Sequence, residues 1–459
     1  MVGKGVMAAP GAPASLSATN PSWQPQSRIA SEATPALQTV QHRAFDFFWN
    51  ESDPTTGLTR DRARNIGDRS ATNTVASTAA TGYALSALAI GVSHRWVTPQ
   101  QGYGRALTTL RFLRDKLPNE HGFYFHFIDI KTGARVWDSE LSSIDTSLLL
   151  LGVRVVGSYW RGTDVQRLAD EITERVDWPW MQTDGGLKSQ EKAPSMGWKP
   201  ESGFLPYRWQ GYSEAFFLYC IALGSKSHPI APQAWNDWQI AAETLEGYHP
   251  VFGGAQPLFM AQMASGYFDV RGLRDRQGHD WWAAWRNAHL ADQAYCARNP
   301  EGRKTYGEGF WGINADDLPP PAGYGANRPA NGENDGTVAP TAMLAAVVFT
   351  PDASNAARHA LWQKHGPQLW GRYGFSNAFN VDKNWYDVDV IGIDLGMMML
   401  AIENARTGLV WRLLRTDPVA TRGLTAAGCR LPASPKEPAS NLINFEAVAI
   451  RQSGEGRGR

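Results

Sequence analysis

Residues 142–156 read SSIDTSLLLLGVRVV, a stretch that is apolar on almost every side of a helix once its first turn is passed. Two further stretches have the same character, SEAFFLYCIALG at 213–224 and LGMMMLAIENA at 395–405. A helix that is apolar all round must be covered on every side and cannot lie on a protein surface. These stretches therefore predict buried helices that need a surrounding layer of other elements.

Amphipathic segments alternate with these buried stretches along the chain. The apolar residues of 36–50 follow one helical face: Leu37, Val40, Ala44, Phe47 and Phe48. Together with the helices that contain the three apolar stretches (142–159, 212–223 and 394–407), helices are predicted at 74–91, 103–116, 164–176, 232–246, 280–297, 339–348 and 354–366. Buried helices covered by amphipathic ones indicate two concentric rings. The predicted fold is all-α, an (α/α)6 barrel.

Strand signal is sparse and concentrates in one segment. Within 122–138, Phe123, Phe125 and Phe127 alternate with more polar neighbours, and Lys131-Thr132-Gly133 can form a turn. This pattern predicts a short β-hairpin, expected near the cleft. Outside the barrel, 1–35 is predicted to be a flexible N-terminal segment and 432–459 a C-terminal tail, which leaves 36–431 as the catalytic domain.

Charge and motif content exclude several classes of function. The 44 Lys and Arg balance 44 Asp and Glu, whereas nucleic-acid binders need a basic excess. No stretch reaches the ~18 apolar residues of a membrane span. Three cysteines and scattered histidines show no metal-ligand spacing, and nucleophile-elbow and phosphate-loop motifs are missing. We expect no metal, no cofactor, no nucleic-acid partner and no membrane span; the oligomeric state stays open.

Aromatic content points to a carbohydrate ligand. The chain has 19 Trp, 14 Tyr and 18 Phe, more Trp than a helical core requires. Indole faces pack against the apolar C–H surface of a sugar ring, and the indole N–H still offers a donor. Close packing of large helices accounts for part of this content, and a sugar-binding cleft for the excess.

The densest group of polar candidates is 137–145, which joins the predicted hairpin to the buried helix. It contains Trp137, Asp138, Glu140 and Asp145. Asp145 shares a helical face with buried leucines and so points toward the barrel interior. A structural role is equally compatible with this position, because Ser142 or Ser143 can cap the helix and a first-turn carboxylate suits the helix dipole.

A second candidate, Glu214, is the only charged residue between Trp209 and Gly224. Aromatic neighbours such as Tyr212 would desolvate its carboxyl group and raise its pKa, as a general acid requires. Ser213 as N-cap would instead make Glu214 a partner of the helix dipole, which lowers its pKa. The sequence leaves the balance between these effects open.

The predicted barrel brings these candidates together. Inner helices of such a barrel run in one direction, so their N-terminal ends share one face, and Asp145 and Glu214 would converge there. Cleavage of a glycosidic bond needs two carboxyl groups. Loops expected at the same rim contain further candidates: Glu308, Trp311, Asp335, Asp389 and Asp394.

Several blocks of sequence resemble one family, in matching order from about residue 36 to 414. They are ESDPTTGLTRDR (51–62), GFYFHFIDIKTGARVWDSELSSIDTSLLLLG (122–152), YSEAFFLYCIALGSKSHP (212–229), DGTVAPTA (335–342) and IENARTGLVWRL (402–413). The chain resembles glycoside hydrolase family 144, the β-1,2-glucanase or "glycoamylase" domain family, also found within cyclic β-1,2-glucan synthases. The resemblance implies an (α/α)6 barrel, metal-free inverting hydrolysis and a periplasmic or secreted setting.

The resemblance also implies functional positions. Matching motifs make Asp138, Asp145 and Glu214 the expected catalytic residues, with Glu214 as general acid. At 258–271 the chain reads LFMAQMASGYFDVR where relatives resemble LFxHQxSHxxIDFR, so Ala261 and Ser265 replace two histidines. Retained residues of that block are expected to bind substrate: Gln262, Asp269 and Arg271. We expect a cleft wall with fewer donors and poor action on plain linear β-1,2-glucan.

The expected function is therefore a glycoside hydrolase acting on β-1,2-glucan or its oligosaccharides. One alternative is a transglycosylase of the same fold that uses a branched, cyclic or differently linked glucan. A second alternative is a non-catalytic glycan-binding protein that keeps the aromatic platforms. The sequence does not separate endo from exo action.

Overall fold

A computed structural model describes residues 33–69 and 74–430, so most of the predicted N-terminal segment and all of the predicted C-terminal tail lie outside the described residues. The α-helices are α1 (Leu37–Asn50), α2 (Thr78–Ser93), α3 (Pro99–Asp115), α4 (Ser143–Tyr159), α5 (Asp164–Glu174), α6 (Trp178–Gln182), α7 (Phe216–Gly224), α8 (Gln233–Asp237), α9 (Phe259–Tyr267), α10 (Trp281–Arg298), α11 (Lys304–Gly307), α12 (Pro340–Ala345), α13 (Pro351–Leu369), α14 (Gly392–Arg406), α15 (Leu409–Arg415) and α16 (Pro418–Ala426). A 3₁₀ turn, Ala346–Val348, follows α12.

Short strands fill the connections. They are β1 (Arg62–Arg64), β2 (Val75–Ser77), β3 (Asn119–Glu120), β4 (Phe123–Tyr124), β5 (Phe127–Asp129), β6 (Leu141–Ser142), β7 (Gly197–Lys199), β8 (Gly203–Phe204), β9 (Ala242–Leu245), β10 (Tyr248–Phe252), β11 (Ala315–Leu318), β12 (Gly323–Ala326), β13 (Trp370–Gly371), β14 (Gly374–Phe375), β15 (Phe379–Asn380), β16 (Trp385–Tyr386) and β17 (Asp389–Ile391). Within the described residues they pair as ladders of two strands, except for the three-stranded β6-β7-β8.

The helices form two layers. α2, α4, α7, α12 and α14 are buried along almost their whole length, as their apolar sequences predict. α2 packs against both α4 and α14, α4 against α7, and α14 against α9 and α12. The outer layer covers them: α1 and α3 lie on α2, α5 on α4, α13 on α12, and α16 on α7. The predicted helical class is thus confirmed. Within the described ranges, no helix combines the length and apolar character needed to cross a bilayer.

Three buried helices begin directly after a short strand, and this arrangement positions the site. β2 leads into α2, β6 into α4 and β17 into α14. Each strand is held by an antiparallel partner: β2 by β5, β6 by β7, and β17 by β1. The N-terminal ends of these helices are therefore fixed by backbone hydrogen bonds to the connecting loops.

Some local predictions are corrected. The hairpin predicted at 122–138 forms only around its turn, where Asp129 N–H donates to the Ala134 carbonyl at 2.7 Å. β4 instead pairs with the exposed β3, and β5 pairs with the buried β2. In 232–246 the helix ends at Asp237, and 242–245 is a strand. Trp235 and Trp238 both pack on Trp281, which turns the chain into the core there.

The crossing of α2 and α4 depends on two glycines. A Cβ at Gly152 would lie 1.9 Å from the carbonyl oxygen of Gly82, and a Cβ at Gly82 would lie 2.4 Å from that of Leu148. The two backbones are therefore in direct contact, with no room for a side chain.

We expect Gly152→Ala to lower the free energy of unfolding by at least ~1–3 kcal/mol, because the added methyl group forces the two buried helices apart. Chemical denaturation of the purified variant measures the effect. Gly104→Ala is the matched control: Gly104 lies on the exposed α3, where a Cβ would meet nothing within 4 Å. That control should be neutral or stabilising by up to ~1 kcal/mol. Equal stability of both variants would contradict the backbone contact.

Candidate active site

Asp145 lies in the first turn of α4, with its side chain held on both oxygens. Ser142 is the N-cap: its hydroxyl accepts from the Asp145 N–H at 3.2 Å and donates to Asp145 Oδ2 at 2.5 Å. The other oxygen, Oδ1, lies 3.6 Å from His126 Nε2. The capping role foreseen for Ser142 is therefore present, and Asp145 also faces a second ionisable group.

His126 links Asp145 to Glu140. Its Nδ1 lies 3.1 Å from Glu140 Oε1, and its ring stacks on Phe127 with centroids 3.9 Å apart. Burial lowers the pKa of His126, but the neighbouring Asp145 and Glu140 carboxylates outweigh it and raise the pKa to about 9. The sequence suggested only a structural histidine here. The sequence contains one indication of a functional role: His126 is an ionisable residue within the Phe-rich run 123–127.

These three side chains are also the group best placed to hold a metal ion in the described part of the chain. Their possible ligand atoms lie within 4.8 Å of one another. Glu140 and Asp145 lie against different nitrogens of the His126 ring, however. A single ion can be bound by only one of those nitrogens, so the observed contacts are those of an imidazolium ion between two carboxylates.

Glu214 lies in the turn that precedes α7 and is partly exposed. Burial is the main effect that raises its pKa to about 7; the charge of Asp145 adds to it, and a hydrogen bond from the Glu214 backbone N–H opposes it. Desolvation therefore changes the pKa of Glu214 more than the opposing backbone hydrogen bond does. Ser213 is not the helix cap, since α7 begins at Phe216 with Ala215 as N-cap. Glu214 is thus a carboxyl group that carries a proton near neutral pH, beside a second carboxyl group.

Asp145 itself is subject to opposing effects. Burial raises its pKa, and Glu140 and Asp61 add to that increase. His126 and the Ser142 hydroxyl lower it. The net direction is upward, and His126 is the charged group that opposes it.

Asp394 occupies the same place in α14 that Asp145 occupies in α4, the third residue of the helix. It is buried, and Asn377 Nδ2 donates to its Oδ2 at 2.6 Å. Burial, with smaller contributions from the charges of Asp317 and Asp61, raises its pKa to about 7. Because Asp61 also acts on Asp145, the N-terminal ends of α4 and α14 belong to one acidic region.

Asp316, on β11, extends this region and was not foreseen. It is fully buried, and within the described residues neither carboxylate oxygen has a hydrogen-bond partner. Burial and the nearby Asp394 hold its pKa well above the usual range. Its signal in the sequence was the acidic pair Asp316-Asp317 between Ala315 and Leu318. Asp317 is neutralised by Arg62 at 2.8 Å.

Exposed aromatic side chains and polar loops surround these carboxyl groups. Trp137 is 47% exposed, and its ring meets Phe127 edge-on, next to His126. Asp138 beside it is exposed and so lies at the rim rather than in the carboxyl cluster. Tyr212, near Glu214, accepts a hydrogen bond from Trp285 Nε1 at 3.0 Å.

On the other side of the site, the Tyr324 side chain is 43% exposed. Desolvation raises the pKa of its hydroxyl group, and the nearby Asp394 and Asp316 raise it further. Asp335 acts on Asp316 as well, and its Oδ1 accepts from Thr337 N–H at 2.9 Å. Both residues therefore border the acidic region, although only Asp335 was foreseen.

The structure does not bring Asp269 and Arg271 to this site. They form an ion pair beyond the C-terminal end of α9, and the Arg271 guanidinium lies over the Trp411 ring of α15. α15 follows the C-terminal end of α14, and α14 carries Asp394 in its first turn. A helix of this length spans roughly 22 Å. The two residues thus lie at the opposite end of the helical layers.

Three other expected substrate contacts are engaged elsewhere. Gln262 is buried, and its Nε2 lies 3.0 Å from His289 and 2.9 Å from the Ala342 carbonyl. Glu308 contacts His365 of the outer helix α13 at 2.9 Å. Trp311 is buried in the core. Glu308 and Trp311 were assigned to the rim because sequence reasoning could not place their loop in space, whereas Gln262 was expected to bind substrate from the family motif alone.

The two positions of the expected cleft-wall change lie toward different ends of α9. Ser265 is buried near the C-terminal end of α9, and its carbonyl accepts from Trp411 Nε1 at 2.7 Å. It therefore lies at the end of the protein away from Glu214 and Asp145. Ala261 is buried among core residues. It occupies the third position of α9, the position that Asp145 has in α4 and Asp394 has in α14. Poor action on plain linear β-1,2-glucan therefore stays a prediction, and it depends on Ala261 rather than on Ser265.

Comparison with known proteins identifies relatives of this chain. The glycoamylase family model matches residues 206–418. A curated relative, the exo-β-1,2-glucooligosaccharide sophorohydrolase (non-reducing end) of Parabacteroides distasonis, is 27% identical over 84% of this chain. The chain spans 57% of the length of that relative.

Solved structures show the same similarity. The endo-β-1,2-glucanase of Chitinophaga pinensis, solved with sophorotriose and glucose, matches with a TM-score of 0.79 and 25% identity, covering 86% of this chain and 98% of that one. A β-1,2-glucanase of Parabacteroides distasonis matches with a TM-score of 0.78 and 26% identity, covering 85% of this chain and 59% of that one. These matches confirm the resemblance to the glycoamylase-like β-1,2-glucanases of glycoside hydrolase family 144.

Proposed function

We propose that this protein is a glycoside hydrolase that cleaves β-1,2-glucan or its oligosaccharides by an inverting acid–base mechanism. The observation that carries the proposal is Glu214, a partly exposed carboxyl group whose pKa is raised to about 7 beside the buried Asp145. Relatives named as β-1,2-glucan hydrolases support the substrate class. We further propose that the two helical layers form an (α/α)6 barrel with this site at the N-terminal ends of the inner helices.

The proposed chemistry uses the two carboxyl groups in opposite protonation states. Glu214 donates its proton to the glycosidic oxygen as the bond from the anomeric carbon to that oxygen breaks. Asp145, ionised, takes a proton from the water molecule whose oxygen bonds to the anomeric carbon. The exposed Trp137 and Tyr324 rings offer flat apolar faces on which sugar rings can pack. A periplasmic or secreted location, where such glucans are accessible, remains part of the proposal.

Product analysis tests both the substrate and the stereochemistry. We expect the purified protein to release oligosaccharides from β-1,2-glucan but not from β-1,3-, β-1,4- or α-linked glucans. Because water attacks from the face opposite the leaving group, the first product should be the α-anomer. Proton NMR during the first minutes of reaction records the anomer before mutarotation. Initial β-anomer would overturn the inverting assignment. Products longer than the substrate would identify a transglycosylase, and binding without turnover a glycan-binding protein.

A further inference from the structure

We infer that His126 is a positioning residue of this site: as a charged imidazolium held between Glu140 and Asp145, it fixes the Asp145 carboxylate and keeps it ionised. The effect on catalysis rests on the proposed function. The protonation of the His126 ring does not, and it can be measured without any substrate. His126 thereby gains a role, although the sequence pattern alone marks it as structural.

The geometry engages both ring nitrogens of His126. Nδ1 lies 3.1 Å from Glu140 Oε1, and Nε2 lies 3.6 Å from Asp145 Oδ1. A neutral imidazole has one donor nitrogen and one acceptor nitrogen, whereas an imidazolium donates from both. Two carboxylates, which accept hydrogen bonds when ionised, therefore match the charged ring. Stacking on Phe127, with ring planes 16° apart, holds the ring in this orientation.

The charges around Asp145 show why a cation is needed there. At the start of its own helix, the Asp145 carboxylate accepts a hydrogen bond from the Ser142 hydroxyl, which carries no charge. The other groups that act on it are Glu140 and Asp61 from the preceding loops and Glu214 from the turn before α7, all of them acidic. Of the named neighbours, His126 alone can bring a positive charge. Removal of that charge leaves a buried carboxylate among acidic groups, a setting in which a carboxyl group takes up a proton.

Two substitutions separate charge from shape. His126→Gln keeps a hydrogen-bond donor but has no charge, and His126→Lys restores a cation. His121→Gln is the matched control, since His121 also lies between two carboxylates, 3.7 Å from Glu120 and 3.4 Å from Asp177, but outside the site. Thermal unfolding of each variant shows whether it is folded before any other measurement is made.

The first measurement does not depend on catalysis. NMR of the ¹⁵N-labelled imidazole follows protonation of His126 in the folded protein. We expect a pKa of about 9, and a decrease by about one unit or more in Asp145→Asn, because an opposite charge at this distance shifts a pKa by ~1–3 units. A His126 that titrates at its ordinary value of about 6.5 would overturn the inference, whether or not the protein cleaves glucan.

The second measurement is the pH profile of kcat/KM on β-1,2-gluco-oligosaccharides. Because Asp145 must be ionised to act as a base, its protonation produces the acidic limb. In His126→Gln we expect that limb to move up by about one pH unit or more, with kcat reduced more than KM is changed. His126→Lys should move it back, and His121→Gln should leave it in place. An unmoved acidic limb in a folded His126→Gln protein would show a purely structural histidine. Failure of the wild type to cleave any glucan would overturn the proposed function and leave the NMR result to decide the charge of His126.

Discussion

Replacement of Glu214 by Gln is expected to lower kcat by roughly 10²–10⁴-fold, because the amide keeps the shape of the side chain but has no proton to give to the leaving oxygen. Stability should change little, since the side chain is partly exposed and α7 begins two residues later. Steady-state rates on β-1,2-gluco-oligosaccharides, together with thermal unfolding, measure both expectations.

The control for this variant is Glu120→Gln, which makes the same chemical change on an exposed strand. It should retain wild-type kcat. A substrate with an activated leaving group, such as an aryl glycoside, needs less protonation, so its cleavage should be reduced far less in Glu214→Gln. If Glu214→Gln were folded and fully active on oligosaccharides, Glu214 would not be the general acid.

Replacement of Asp145 by Asn is expected to reduce kcat by a comparable factor, roughly 10²–10⁴-fold, because the neutral amide cannot accept a proton from water. Affinity for an oligosaccharide should stay within about tenfold of the wild-type value, since the residue acts mainly in the transition state. Isothermal titration calorimetry with slowly cleaved oligosaccharides, set beside steady-state rates, separates the two quantities.

Asp138→Asn gives the matching comparison. Both residues were predicted to be catalytic, but Asp138 is exposed at the rim whereas Asp145 is buried beside His126. We expect the Asp138 variant to change KM more than kcat. A larger loss of kcat in Asp138→Asn than in Asp145→Asn would reverse these roles.

The sequence correctly predicts those parts of the site that lie at the N-terminal ends of buried helices. Four leucines, 148–151, identify a buried helix, and the polar residues just before them must then lie at its N-terminal end. The same logic locates Glu214 before the apolar run 216–223 and Asp394 at the start of α14. These predictions hold because burial and helix direction are properties of a single segment.

The remaining parts depend on contacts between segments far apart in sequence. His126 gains its charged partners only when β5 pairs with β2 and brings the loop beside α4. Asp316 reaches Asp394 through a hairpin that joins no buried helix. Conversely, Asp269 and Arg271 match a family motif, yet the short helix before them carries them to the opposite end of the molecule. The periodicity of a single segment does not predict which distant segments it will contact.

The pairing of β1 with β17 has a consequence for biosynthesis. Arg62 lies opposite Ile391, so the segment that fixes the start of α14 is synthesised long before its partner. Contacts of such long sequence separation are slow to form. A nascent chain that has passed Glu214 already contains the acid and its partner Asp145, but the acidic wall around Asp394 closes only after almost the whole domain has left the ribosome. Premature termination after Glu214 but before that point would yield a protein with the reactive carboxyl groups and an unfinished cleft.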